Sequence, residues 1–266
     1  MKNLISLSAA SLLALSALTG ASGAAETAAA HHEIVRQPWS FAGFKGQFDR
    51  AQLQRGFQVY KEVCAACHSL HQLSYRNLRQ LGLSEDEVKA IAAGYQIQDG
   101  PNDTGEMFER PGRPSDRFHA PFANEQAARA ANNGALPPDL TLVAKSRAGA
   151  GFLGYDGADY IYSLMTGYEE TPPEGVTLPD GMHYNHAFKG HQIAMPPPLA
   201  ADSVTYDDGT QATLEQEAKD IAVFLTWTAE GNLDARHRMG IKVILFLVIF
   251  TLVAYAAKRK VWADAH

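Results

Sequence analysis

Cys64-Ala65-Ala66-Cys67-His68 is the stretch on which the reading of this chain turns. On a helical turn, positions three apart share a face, so both thiols can meet one ligand. Cys-x-x-Cys-His is the attachment signature of a c-type haem. The thiols become thioethers on the two vinyl groups, and the adjacent histidine places an imidazole on the iron. The expected cofactor is therefore one haem c, covalently attached through Cys64 and Cys67. These are the only two cysteines among 266 residues, which excludes a disulfide-dense scaffold and a four-thiolate metal site. A thioredoxin-like redox pair is the competing reading, but it needs a strand-to-helix setting, and here the motif closes a helix. Zinc would need a second cysteine pair.

A haem iron takes a sixth ligand or keeps an open position. Of six methionines, Met1 lies in the N-terminal apolar stretch, Met239 borders the C-terminal one and Met165 sits in an apolar helix. Met107 and Met182 lie in polar loops and are possible ligands. Met195 opens Met195-Pro196-Pro197-Pro198-Leu199. Three prolines fix φ and favour an extended, rigid backbone, which holds a thioether in place without hydrogen bonds. Met195 also precedes the last helix of the body, as the ligand loop does in many c-type cytochromes. Ordinary loop packing is its bland alternative. His183, His186 and His191 cluster enough to suggest a metal site, although solvated loop histidines are the simpler reading.

Outward from the motif, apolar spacing and capping residues predict five helices: Asp49 to about His68, Ser84 to about Tyr95, Asn124 to Asn133, Asp156 to Thr166, and Thr213 to about Ala229. Ser84-Glu85-Asp86-Glu87 and Thr213-Leu214-Glu215-Gln216 read as capping boxes. Long Pro- and Gly-rich loops fill 98–123, 134–155 and 168–212, and no strand pattern is strong. A helical body with such loops is expected to lean on something beyond its own core.

The ends differ from the body. Residues 1–25, with Lys2, the apolar run Leu4 to Leu18 and the small residues Ala21 to Ala25, read as a secretory signal peptide. Gly240 to Ala257 carries a single charge, Lys242, and as a helix would span about 27 Å, close to the roughly 30 Å of a bilayer's hydrocarbon core. Arg236-His237-Arg238 and Lys258-Arg259-Lys260 flank it, which disfavours a buried core helix. Between the ends, residues 26–239 carry 18 Lys+Arg against 28 Asp+Glu, a net of −10. That excess argues against nucleic-acid binding. The expected organisation is signal peptide 1–25, exported haem domain 26–235, transmembrane anchor 236–260 and cytoplasmic tail 261–266.

Several segments resemble the cytochrome c1 family, the membrane-anchored haem subunits of cytochrome bc1 complexes. They are Arg55 to Lys61 (RGFQVYK), Gln98 to Asn102 (QDGPN), Gly105 to Phe108 (GEMF), Ala127 to Leu140 (AARAANNGALPPDL), Tyr206 to Thr210 (YDDGT), Ala218-Lys219-Asp220 and Arg238-Met239-Gly240. The resemblance implies thioethers at Cys64 and Cys67, iron ligands at His68 and Met195, and Pro137 and Pro138 flanking the haem. It also implies that Arg147 contacts a propionate, with Lys145 as the alternative and a surface charge as the plain reading of Arg147. Some relatives carry an extra disulfide, which this chain cannot form if both thiols are used. The loop from Gly167 to Met195 is variable in the family.

The implied fold is mainly α: a c-type cytochrome fold with long loop insertions plus one C-terminal transmembrane helix. The implied function is one-electron transfer without substrate bond chemistry. Electrons would pass from a Rieske iron–sulfur protein to a soluble or tethered cytochrome c, beside cytochrome b and membrane lipid. The expected location is a bacterial-type inner (plasma) membrane, single-pass, with the haem domain periplasmic. The rivals are a free-standing anchored cytochrome c serving another oxidase, a haem enzyme with an open iron position, and a thiol oxidoreductase.

Overall fold

In the computed structural model, Asp49 opens the first helix. Its carboxylate accepts the N–H groups of Ala51 and Gln52, two donors that a helix N-terminus leaves without partners. The structure describes residues 34–147 and 156–264, which lie within one structural unit, His32–His266. The expected signal peptide falls outside the described residues.

Helix α1 spans Arg50–Glu62 and buries Leu53, Gly56, Phe57, Val59 and Tyr60. It stops before the cysteines rather than running to His68. Cys64–Ala66 tightens into a 3-10 turn, in which the Cys67 and His68 N–H groups both reach the Cys64 carbonyl, at 3.2 and 2.9 Å. A further 3-10 segment covers Tyr75–Leu81, and α2 covers Glu85–Ala93. The expected Ser84 capping box is complete, with Ser84 Oγ accepting from Glu87 N–H and the Glu87 carboxylate from Ser84 N–H. Helix α3 is Glu125–Ala131, capped by Asn124, and α4 is the short Val143–Ser146. Helix α5 is Asp156–Thr166, α6 is Leu214–Ala229 and α7 is Leu233–Val261.

The loops hold strands that the sequence pattern does not show. β1 (Gln96–Asp99) and β2 (Phe108–Pro111) form an antiparallel hairpin. β3 (Tyr168–Glu169), β4 (His183–Asn185) and β5 (Gln192–Ile193) form a small antiparallel sheet in that order. Runs of two to four residues are too short to display a period of two.

Helices α1, α5 and α6 carry the centre of the body. Gly56 is required where α1 crosses α6, because a Cβ there would stand 2.1 Å from the Asp220 carbonyl oxygen. Around this crossing, Phe57 and Tyr60 meet Phe224 at ring-centroid distances of 5.8 and 5.7 Å. One continuous apolar cluster extends from Trp39 and Phe41 to Leu233, so the body has a more substantial core than its loops led us to expect.

Helix α6 also buries charge. Arg55 Nε and Nη1 sit 2.8 Å from the carboxylates of Asp220 and Asp208 respectively, and Asp220 is wholly buried. Gln216 turns its amide to Asp220 instead of back to Thr213, so the second expected capping box is only half formed. Glu217 accepts from Val204 N–H through Oε1, and burial pushes its pKa up.

Helix α7 begins seven residues before the predicted span. Its apolar stretch is covered by no other part of the described chain, which removes the buried-core-helix reading. The first turns are docked on the body. Leu233 is 2% exposed, Asp234 Oδ1 accepts from Phe48 N–H at 3.1 Å, and His237 Nδ1 donates to the Gly46 carbonyl at 2.8 Å.

Candidate haem site

His68 Nδ1 lies 2.8 Å from the Pro138 carbonyl oxygen. A carbonyl can only accept, so Nδ1 carries the proton and Nε2 keeps its lone pair. That tautomer and orientation are what a metal-binding imidazole requires, its other nitrogen being fixed by an acceptor. Burial holds the His68 pKa below its ordinary value, against the opposing pull of Pro138 and Asp139, so the ring is neutral near pH 7. Tyr60 donates its hydroxyl to the His68 carbonyl at 3.1 Å.

The chain after His68 is laced to the chain after Pro138. Asp139 Oδ2 accepts from Ser69 Oγ at 2.9 Å and from His71 N–H at 2.7 Å, while its Oδ1 accepts from Thr141 N–H at 2.9 Å. Leu140 N–H returns to the Ser69 carbonyl at 2.9 Å. Burial would raise the Asp139 pKa, but these donors outweigh it and hold the carboxyl below its usual range.

Cys64 is half-buried and Cys67 exposed, both on the tight turn that leads into His68. Burial, followed by the neighbouring Cys67, pushes the Cys64 pKa up to about 12. A redox-active pair needs the opposite shift, toward a stabilised thiolate. Two cysteines on one tight turn, next to an imidazole whose Nε2 is left unprotonated, fit covalent haem.

Met195 stands two residues beyond β5 and is half-buried. Its backbone carbonyl accepts from the Tyr168 hydroxyl at 3.1 Å. Burial raises the Tyr168 pKa, so the phenol stays protonated. Met107 and Met239 are exposed, and Met165 packs on the core. Arg147 is exposed, with its guanidinium carbon 6.0 Å from the centre of the Tyr160 ring. Lys145, the alternative, places Nζ 2.6 Å from Glu230 Oε1 near the start of α7, which leaves Arg147 the freer of the two cations. His186 lies 3.5 Å from Glu169, and the His191 ring stacks on Tyr184. Among the described residues no three His, Cys, Asp or Glu side chains are grouped to hold a metal ion, and His183, His186 and His191 are all half-buried rather than the solvated loop histidines expected.

The structure thus joins His68 to Pro138, Arg147 to Tyr160 and Tyr168 to Met195. With the geometry in view, comparison with known sequences is decisive: the model of the Cytochrome C1 family matches residues 39–265. The chain belongs to the cytochrome c1 family. Cytochrome c1 of Rhodospirillum rubrum is 44% identical over 268 residues, covering 95% of this chain and 96% of that protein. A mitochondrial cytochrome c1 haem protein of Solanum tuberosum is 45% identical over 251 residues, 94% of each chain. The cytochrome b/c1 of Bradyrhizobium diazoefficiens is 53% identical over 242 residues, 86% of this chain but only 35% of that longer protein. As a cytochrome c1, this chain is a haem c electron carrier of the cytochrome bc1 type, and among the described residues α7 is the one helix long and apolar enough to cross a membrane.

Three features of this cytochrome c1 escape the sequence reading. Asp139 sits inside the Pro-Pro-Asp-Leu stretch, where adjacency to the prolines was a usable signal. His237 hides in what reads as a basic membrane flank, and Asp234 lies two residues before that flank, at the end of the expected haem domain. Tyr168 carries no signal, because its partner is a backbone carbonyl 27 residues away.

Proposed function

We propose that this cytochrome c1 passes single electrons from a Rieske iron–sulfur protein to a soluble or tethered cytochrome c, in a quinol-oxidising complex with cytochrome b. The observation that carries the proposal is the His68 Nδ1 to Pro138 contact, which readies Nε2 as a metal ligand. Cys64 and Cys67 would form the thioethers, and His68 and Met195 would be the iron ligands. Pro138 orients the imidazole, and Arg147 offers its planar fork to a propionate. When bound, the haem supplies an Fe(III)/Fe(II) couple, and a His/Met ligand pair suits a relatively high potential. The Bradyrhizobium relative, a cytochrome b/c1, supports cytochrome b as an assembly partner.

An export signal at 1–25, ahead of a haem domain at 26–235 and an anchor at 236–260, supports placing the haem domain on the periplasmic side of a bacterial-type inner membrane. The acceptor would be basic. Residues 167–220 carry ten Asp+Glu against two Lys+Arg, a net of −8, and include Met195. Complementary charge speeds encounter without long residence, and exposed charges are screened beyond about 8–10 Å at physiological salt. Glu170 and Glu174 are exposed, whereas Asp208 is engaged by Arg55.

The test has two parts. A pyridine haemochrome of the purified chain should give a two-thioether spectrum. Turnover of the complex with a basic cytochrome c should fall as ionic strength rises, and Glu170→Gln with Glu174→Gln should flatten that fall. A rate indifferent to salt, with chemistry shown not to limit it, would sink the docking surface.

A further inference from the structure

The segment that presents Met195 is nearly bare of hydrogen bonds. Pro196, Pro197 and Pro198 have no N–H to donate. Among the described residues, the Tyr168 hydroxyl on the Met195 carbonyl is the single hydrogen bond that 194–198 makes. Tyr168 itself is firmly placed. It pairs with Asn185 across the β3–β4 ladder, and His186 N–H bonds to the Gly167 carbonyl at 3.0 Å. Asn185 is wholly buried. Its Nδ2 donates to the Leu164 carbonyl at the end of α5, and its Oδ1 accepts from Ala187 and Phe188 N–H. The other edge of the sheet, β5, ends two residues before Met195. The methionine is therefore suspended between a strand end and one phenol, on a frame tied back to α5.

We infer that Tyr168 is the positioning residue of the methionine ligand: its hydroxyl holds the Met195 carbonyl and so fixes where the thioether stands. This rests on the reading of Met195 as the sixth ligand. A thioether is a neutral ligand whose residence on a metal depends on how closely the backbone confines it. Removing the hydroxyl leaves the ring and the sheet intact and releases that one restraint.

The test uses the full-length holoprotein, with Met195→Leu as the reference for an open site and Tyr184→Phe as a hydroxyl deletion elsewhere in the same sheet. The readouts are carbon monoxide binding to the reduced protein, the far-red methionine-to-ferric-iron charge-transfer band as temperature rises, and haemochrome content. Tyr168→Phe should keep its covalent haem, bind carbon monoxide about fivefold faster than the unaltered protein, and lose the band at a lower temperature. Fivefold is the factor expected from the net strength of one neutral hydrogen bond. Tyr184→Phe should behave as the parent.

If Tyr168→Phe matches the parent while Met195→Leu binds carbon monoxide freely, the positioning role is wrong and the ligand assignment stands. If Met195→Leu itself stays closed, the ligand assignment falls and the positioning role with it. Loss of covalent haem in Tyr168→Phe, or an equal effect in Tyr184→Phe, would make Tyr168 a general folding residue and overturn the inference.

Discussion

The two regions of this cytochrome c1 proposed to hold the iron are built in opposite ways. Around His68 the chain is over-determined: the ring is fixed by Pro138, the following residues by Asp139, and the His68 carbonyl by Tyr60. Around Met195 one phenol and three prolines do the whole task. A histidine must present one nitrogen of two, in one tautomer and one plane, so it needs an acceptor and a fixed backbone. A thioether has neither tautomer nor proton, so confinement of its main chain suffices.

The largest expected effect lies on the histidine side. Asp139→Ala removes the charged acceptor shared by Ser69, His71 and Thr141 and should cost about 3 kcal/mol. For a domain of this size that lowers the thermal midpoint by roughly 6–12 °C. An unchanged midpoint in scanning calorimetry would erase the contrast between the two regions. The same carboxylate makes the contrast pH-dependent. Its folded pKa is depressed, so its contribution is complete above the unfolded value near about 4 and is lost as pH falls through the folded one. Acid titration followed by intrinsic fluorescence should show this loss in the parent and not in Asp139→Ala, the reference that lacks the group.

A somewhat smaller effect should follow from removing the anchor. A chain ended at Asn232 loses Leu233 from the core, together with the Asp234 and His237 bonds to residues 46 and 48. Comparing it with a chain ended at Met239 should show a deficit of about 2 kcal/mol in urea unfolding. Equal stability would mean that Leu233 to Met239 add nothing to the body and that the haem domain ends before them. On the methionine side, Pro196→Ala and Pro197→Ala should each cost only about 0.5–1 kcal/mol, through a freer unfolded chain. A loss as large as that of Asp139→Ala would make the proline run the stronger support.

What could be read from sequence follows the range of the interactions. Helix α5 matches its expected bounds, Asp156 to Thr166, and the Ser84 box forms as written, because caps and apolar spacing act within a few residues. The Cys64-to-His68 motif is legible for the same reason, although α1 ends before it and the motif itself opens on a 3-10 turn. The sheet that carries Met195 joins residues 168, 185 and 192, and its strands are too short to leave a pattern. The docking of α7 is equally hidden. His237 reads as membrane flank, and Leu233 and Asp234 as the tail of the haem domain, until Gly46 and Phe48 are brought beside them.

The reduction potential of Met195→Leu tests the His68/Met195 electron carrier most directly. Covalent haem should remain, since Cys64, Cys67 and His68 are untouched, and the potential should drop well below the parent value as the thioether is lost. An unchanged potential, with the haem still attached, would contradict Met195 as the ligand and send the search back to Met107 and Met182.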